Sequence, residues 1–267
     1  MKKLINYEFF KIRKKKIFLI ILLLVLSASI YCTIESQQRA EYYTNEDEIS
    51  LYTHYKQGTM VNLIYGPSAG NFGINAIIIL SLAVLTSVVV GEEFGKGTVK
   101  LLYIRPYSRT KQYFAKFIAI FKTSLILLLV YLVGSYITST VILQTDTASL
   151  IDMAKTMTIS TVLIIPNILI IEALFFFIAY YVEKTPIAIV INFIISFFCS
   201  VGIPADYLWW PYTFMRYWSF QRFILGNMFN DTHNLILKSI IICIIYFVLF
   251  IYLGLRIARK KDIKNEA

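Results

Sequence analysis

The sequence predicts an all-α polytopic membrane protein with six transmembrane helices, and three observations predict it. First, 58% of the 267 residues are hydrophobic and 16% are charged, whereas a soluble domain holds about 45–50% apolar and about 25% charged residues. Mean hydropathy is +0.66. A soluble globule of this size has no interior large enough to hide that surplus. Soluble enzymes, nucleic-acid binders and disordered chains are therefore excluded. Second, the apolar residues are gathered into six long, continuous runs. Outer-membrane strands instead alternate over about ten residues. A continuous run in lipid must satisfy its backbone internally, which leaves the helix. Third, the basic residues are distributed unequally between the segments that join the runs.

Taken in order, residues 1–16 carry seven basic residues, Lys2, Lys3, Lys11, Arg13, Lys14, Lys15 and Lys16. On a helical wheel Leu4, Ile5, Phe9 and Ile12 share one side, while Lys3, Lys11, Arg13 and Lys14 face elsewhere and Phe10 falls outside the stripe. This is the pattern of an amphipathic helix lying on the inner membrane surface. Bulky Tyr31 stands where a signal peptide would need a small-x-small site, so the first run is expected to stay as an uncleaved helix.

The remainder, 17–267, reads as a six-span transmembrane domain. A span needs about 20 apolar residues to cross about 30 Å of hydrocarbon. The spans are expected at about 17–34, 72–91, 117–143, 157–182, 187–204 and 237–255. Lys122 lies near one end of the third. Pro166 and Glu172 interrupt the fourth.

With the amino terminus inside, 19 of the 26 basic residues fall in cytoplasmic segments, six fall outside, and Lys122 lies within a span. This asymmetry sets both termini in the cytoplasm. It also accounts for the net charge of +10 without a nucleic-acid partner, as an orientation signal and an attraction to anionic lipid heads. The last outer segment, 205–236, includes the run DYLWWPYTFMRYWSFQRF and is crowded with aromatic residues. Such rings favour the membrane interface. The segment reads either as an aromatic anchor or as an outer gate.

The loop after span two is the most distinctive stretch. Gly91-x-x-x-Gly95-Lys96-Gly97-Thr98 imitates a phosphate-binding loop but has three residues between its glycines instead of four. Gly97 also follows the lysine where Ser or Thr is required. Thr98 is placed to cap a short helix whose apolar contacts come from Val99, Leu101, Leu102 and Ile104. Pro106 disfavours helical geometry at Arg105 and ends it. Ser108 is placed to cap the following span. On composition alone the loop reads equally as a docking helix and as a basic loop serving topology.

The run Glu93–Arg109, with Gly97-Thr98, Leu101-Leu102 and Arg105-Pro106-Tyr107-Ser108-Arg109, resembles the cytoplasmic loop of ABC-2-type transporter permeases. The layout of the whole chain is also similar. The size and basic tail look most like small permeases of Gram-positive bacteria that export antimicrobial or toxin peptides, or confer resistance to them. The resemblance implies a permease subunit of an ATP-binding-cassette exporter in the bacterial plasma membrane, moving an amphipathic or hydrophobic substrate outward. It implies a second permease subunit, identical or homologous, and two copies of a separate cytoplasmic ATPase. ATP and Mg would be bound on that partner, with no cofactor on this chain. The loop would be the coupling helix. Coupling roles carry over to Glu93, Gly97 and Thr98, and then to Arg105, Pro106 and Arg109. The ATPase-coupling set is completed by Glu92, Leu101 and Leu102 within the same loop and by Lys100, whose charge, with that of Arg109, is placed to meet acidic residues of the ATPase.

Within the spans, Glu172 is the acidic residue set deepest in lipid, and an intramembrane ionisable group is a functional candidate. Asn192 and Asn75 are its candidate polar partners on a possible transport path. A hydrogen-bonded helix contact explains the same residues. No catalytic constellation is found. His54 and His233 are far apart, no HExxH exists, and Cys32, Cys199 and Cys243 sit singly in apolar runs. An intramembrane enzyme built on Glu92-Glu93 would have both histidines on the wrong side. A sensor or structural subunit that does not transport is the other alternative.

Overall fold

A computed structural model describes residues 1–43, 74–95, 107–143, 147–201 and 232–260, and among these every regular element is a helix. In chain order they are α1 (Lys2–Arg13), α2 (Lys16–Tyr43), α3 (Ile74–Gly95), α4 (Arg109–Leu143), α5 (Thr147–Val182), α6 (Thr185–Val201) and α7 (Thr232–Lys260). Each of α2 to α7 contains most of one apolar run. Among the described residues three stretches, Arg109–Thr138, Ile165–Val182 and Ile240–Arg259, are long and apolar enough to cross a membrane, and Lys16–Tyr31 and Thr185–Ser196 are shorter apolar helices.

Several helices outrun their apolar cores. The expected first span ends at residue 34, but α2 continues to Tyr43 through ESQQRAE, a sequence of strong helix formers. The expected second span ends at residue 91, but α3 continues to Gly95, so Glu92, Glu93 and Phe94 are helical. Pro166 lies inside α5 without ending it. Loss of one backbone N–H is tolerated where neighbouring helices supply the packing. The break between α5 and α6 is a two-residue turn. Glu183 takes φ 61°, in the left-handed region, its N–H donates to Ala179 O at 3.2 Å and Lys184 N–H donates to Val182 O at 2.7 Å.

The bundle is centred on α3, α4 and α5. α3 packs against α6 and α5, α2 against α4, and α7 against α5, while α1 lies across α4. Apolar attraction to lipid tails equals that between helices, so such bundles are held by close packing and polar contacts. An aromatic cluster fills the junction of α4 and α5. Tyr113 and Phe176 rings lie 4.8 Å apart, Phe176 and Tyr180 4.9 Å, and Tyr113 and Tyr180 5.2 Å. Phe94 of α3 meets Tyr180 edge-on at 5.6 Å.

The outer helices turn apolar faces away from the bundle. Leu19 on α2 is 59% exposed and Ile245 on α7 is 57% exposed, each beside further exposed isoleucines or leucines. Contiguous apolar faces of this kind suit lipid or another transmembrane subunit, not water.

Two glycines permit close helix approach. A Cβ at Gly134 of α4 would lie 3.3 Å from Ser29 Cβ of α2, and one at Gly91 of α3 would lie 2.8 Å from Thr185 Cα at the start of α6. The second obstacle is backbone and cannot swing aside. Gly91→Ala is expected to cost about 1–3 kcal/mol through overpacking, read as a lowered Tm of the purified protein in detergent. An unchanged Tm would mean that α3 and α6 do not meet at this point.

Candidate functional site

Residues 96–106 lie outside the described residues, and with them Gly97, Thr98, Lys100, Leu101, Leu102, Arg105 and Pro106. The two helical stems that carry this loop are described, and both are tied into the bundle by charged side chains.

The entry stem is the last turn of α3. Glu93 is 4% exposed, and its two carboxylate oxygens each engage a lysine: Oε1 pairs with Lys11 of α1, Oε2 with Lys116 of α4. Lys116 is as buried as Glu93. The neighbouring Glu92 Oε2 pairs with Lys15 Nζ at 3.2 Å, and Lys15 Nζ also donates to Val88 O at 3.4 Å. Buried Glu8 of α1 adds a third carboxylate whose field acts on Lys116. Three carboxylates thus face three ammonium groups. An isolated charge in this setting would cost several kcal/mol. Glu92 and Glu93 are each paired with lysine, whereas Glu8 acts on Lys116 only through its field and its buried Oε2 makes no hydrogen bond. The knot fixes α1, the end of α3 and the start of α4 to one another.

The exit stem is the first turn of α4. Ser108 caps it, with Lys111 N–H donating to Ser108 Oγ at 3.4 Å and Gln112 N–H to Ser108 O at 3.1 Å. Arg109 donates through Nη1 to Arg259 O at 3.0 Å, and Arg259 Nε donates to Thr110 Oγ1 at 3.2 Å. Arg259 stands in the last turn of α7. Carbonyls there have no intrahelical partner and carry the negative end of the helix dipole, so a guanidinium is a favourable cap. The loop therefore leaves a stem tied to α1 and returns into a stem tied to α7.

The expected face of α1 needs correction. The buried residues are Leu4, Glu8 and Ile12, while Ile5 and Phe9 are only partly buried. Lys11 turns toward the bundle instead of away from it, and Lys15, just past α1, does the same. Phe10 is exposed under the Lys14 ammonium, 4.6 Å from its ring centroid. The wheel ranked residues by hydrophobicity, whereas a charged residue with buried counter-charges belongs on the inner face.

The interior polar candidates divide between two contacts. Glu172 of α5 is 0% exposed, and its Oε2 lies 2.9 Å from Ser124 Oγ of α4. Asn192 of α6, also fully buried, donates through Nδ2 to Ser87 Oγ of α3 at 2.9 Å and to Phe175 O of α5 at 3.4 Å. Glu172 and Asn192 thus each bridge neighbouring helices inside one chain. Asn75 stands in the first turn of α3, and its side chain is outside the described ones. No group of three metal-ligating side chains is found among the described residues. The residues missed from sequence are Glu8, Lys11, Lys15, Lys116 and Arg259. Their one signal was Glu8, an acid in an otherwise basic helix.

A family-wide sequence profile described as ABC-2 family transporter protein matches residues 4–199, from α1 into α6. The match covers most of the chain, and the chain belongs to that family. No curated protein sequence matches it. Membership makes it an integral membrane protein and the permease subunit of an ABC exporter.

Removing one member of the ion knot leaves its partner buried and unpaired. Lys116→Met is expected to destabilise the protein by about 3–5 kcal/mol, and the Glu93→Gln/Lys116→Met double variant by less than Lys116→Met alone. Unfolding of the purified variants checks this. Equal losses in the single and double variants would show that the two side chains are not coupled.

Proposed function

We propose that this permease is the membrane half of a peptide-type exporter, with the loop between α3 and α4 acting as the lever that a separate ATPase moves. The observation that carries the reading is the clamping of both loop stems. A lever transmits force only if its base is rigid. Here one base is fixed to α1 and α4 through Glu93, Lys11 and Lys116, and the other to α7 through Arg109. Gly97, Thr98, Lys100, Leu101, Leu102, Arg105 and Pro106 form the docking surface. Glu93 is buried and acts as a positioning residue at its base. Displacement of the loop is then carried to three helices at once.

The topology in this reading is six spans, with 1–16 on the inner surface, 17–267 in the membrane and both termini in the cytoplasm. The cytoplasmic end is the end bearing the ion knot. It also carries the lysines of α1, Arg109 and Lys111 at the start of α4 and the exposed arginines of α7. One chain supplies half of a pathway, so two permeases, alike or homologous, face each other with two ATPases beneath. ATP and Mg reside on those ATPases.

The cargo in this proposal is an amphipathic or hydrophobic peptide, a toxin or antimicrobial, leaving through the plasma membrane of a small Gram-positive type of system. Apolar outer helices and an aromatic-rich outer segment are compatible with such cargo. Glu172 and Asn192 lie beside this route as interhelical contacts.

The test is co-purification of the ATPase with tagged permease. The Leu101→Glu/Leu102→Glu double variant is expected to recover at least about tenfold less ATPase, a loss typical of removing apolar anchors from an interface. Equal recovery would remove the loop from the docking surface.

A further inference from the structure

The contact between Glu172 and Ser124 contains a proton count. Ser124 Oγ lies 2.7 Å from Phe121 O and 2.9 Å from Glu172 Oε2. A serine hydroxyl has one hydrogen to donate and two lone pairs to accept with. Phe121 O is a carbonyl and only accepts. Serines inside apolar helices commonly direct their hydrogen to a carbonyl three or four residues back, and the shorter of the two distances is to that carbonyl. With the hydroxyl hydrogen committed to Phe121 O, the second contact is a hydrogen bond only if the carboxyl supplies the hydrogen.

The surroundings agree. Glu172 is 0% exposed and Ser124 is 0% exposed. No described cation stands beside the carboxyl on any helix packed against α5. On α4, Lys122 is exposed and Lys116 is held by Glu93. On α3, the charged residues Glu92 and Glu93 belong to the ion knot, and Ser81, Thr86 and Ser87 are neutral. On α6 the buried polar groups are Asn192 and Ser196, both neutral, and Lys184 before it is exposed. On α7, Arg256 is exposed and Arg259 is tied to Thr110. An ionised carboxylate here would have a single hydroxyl for compensation.

We propose that Glu172 carries a proton in the folded protein and donates it to Ser124 Oγ, so that the carboxyl is a proton-dependent latch between α4 and α5. Loss of that proton to water changes the contact in two ways. Ser124 must rotate its hydrogen from Phe121 O to the carboxylate, giving up its bond within α4. The carboxylate also becomes an unpaired anion between apolar helices. Both effects favour separation of α4 from α5 and entry of water. The latch therefore stays shut while the site is dry and opens when a conformational change brings water to it. This inference does not depend on the cargo or on the ATPase.

The test is infrared difference spectroscopy of the full-length protein in lipid nanodiscs at neutral pH, with and without ¹³C-labelled glutamate. Subtraction of the Glu172→Gln spectrum is expected to leave the carbonyl stretch of a protonated acid that moves with the isotope. Ser124→Ala, which removes the acceptor and leaves Glu172 in place, is expected to shift that stretch toward the frequency of a free acid. A difference spectrum containing only carboxylate stretches would overturn the proposal. So would a protonated-acid band that stays unmoved in Ser124→Ala. The Ser124→Ala comparison needs no change at Glu172, so it decides the matter even where Glu172→Gln accumulates poorly.

Discussion

The buried pairing of Glu93 with Lys116 and Lys11 is the constraint on which the rest of the arrangement depends. It joins three segments that are distant in sequence: α1, the end of α3 and the start of α4. Buried ion pairs contribute little net stability against an apolar replacement, because desolvation offsets their attraction. Their value is geometric. A charge that finds its partner in one register and not in others selects that register. Here the register fixes where α3 ends, and so where the loop to α4 begins.

The packing around the knot reinforces the same geometry. Tyr113 and Phe117 flank Lys116 on α4 and meet Phe176 and Tyr180 of α5, while Phe94, next to Glu93, meets Tyr180. The aromatic cluster and the ion knot therefore share residues of the same helical turns. Gly91, less than one turn before Glu93, lets α6 approach the same end of α3. Farther into the bundle the bridges are neutral or hydrogen-bonded, through Ser124, Glu172, Ser87 and Asn192. Full charges sit at the end carrying α1 and single polar contacts sit at depth, as the cost of ionisation in lipid requires.

Six helix-forming runs, the helical character of the described residues and the family were legible in the sequence, because continuous apolar runs and their flanking charges are local signals. The stems of the loop were legible in part. Ser108 stood in a capping position, and Glu93 and Arg109 were picked out through resemblance. Their partners were not legible. Lys11 and Lys116 were counted as orientation charges, and nothing local separates a lysine that snorkels to lipid heads from one aimed at a carboxylate 82 residues away in sequence. Glu8 was passed over for the same reason: a hydrophobic wheel has no place for a buried acid whose field acts on a lysine of another helix. The apolar runs mark the cores of the helices and not their ends, because polar helix formers carry α2 and α3 past them.

The most direct measurement is the distance between spin labels on α1 and α4, at the exposed positions Tyr7 and Lys111, in the assembled transporter with and without trapped ATP. If the knot makes α1 and the loop stems one rigid lever, the distance distribution stays the same in both states and broadens when Glu93→Gln is introduced. A distance that shifts on ATP binding in the otherwise unaltered protein would show that α1 moves independently of the loop, and would contradict the rigid-lever mechanism.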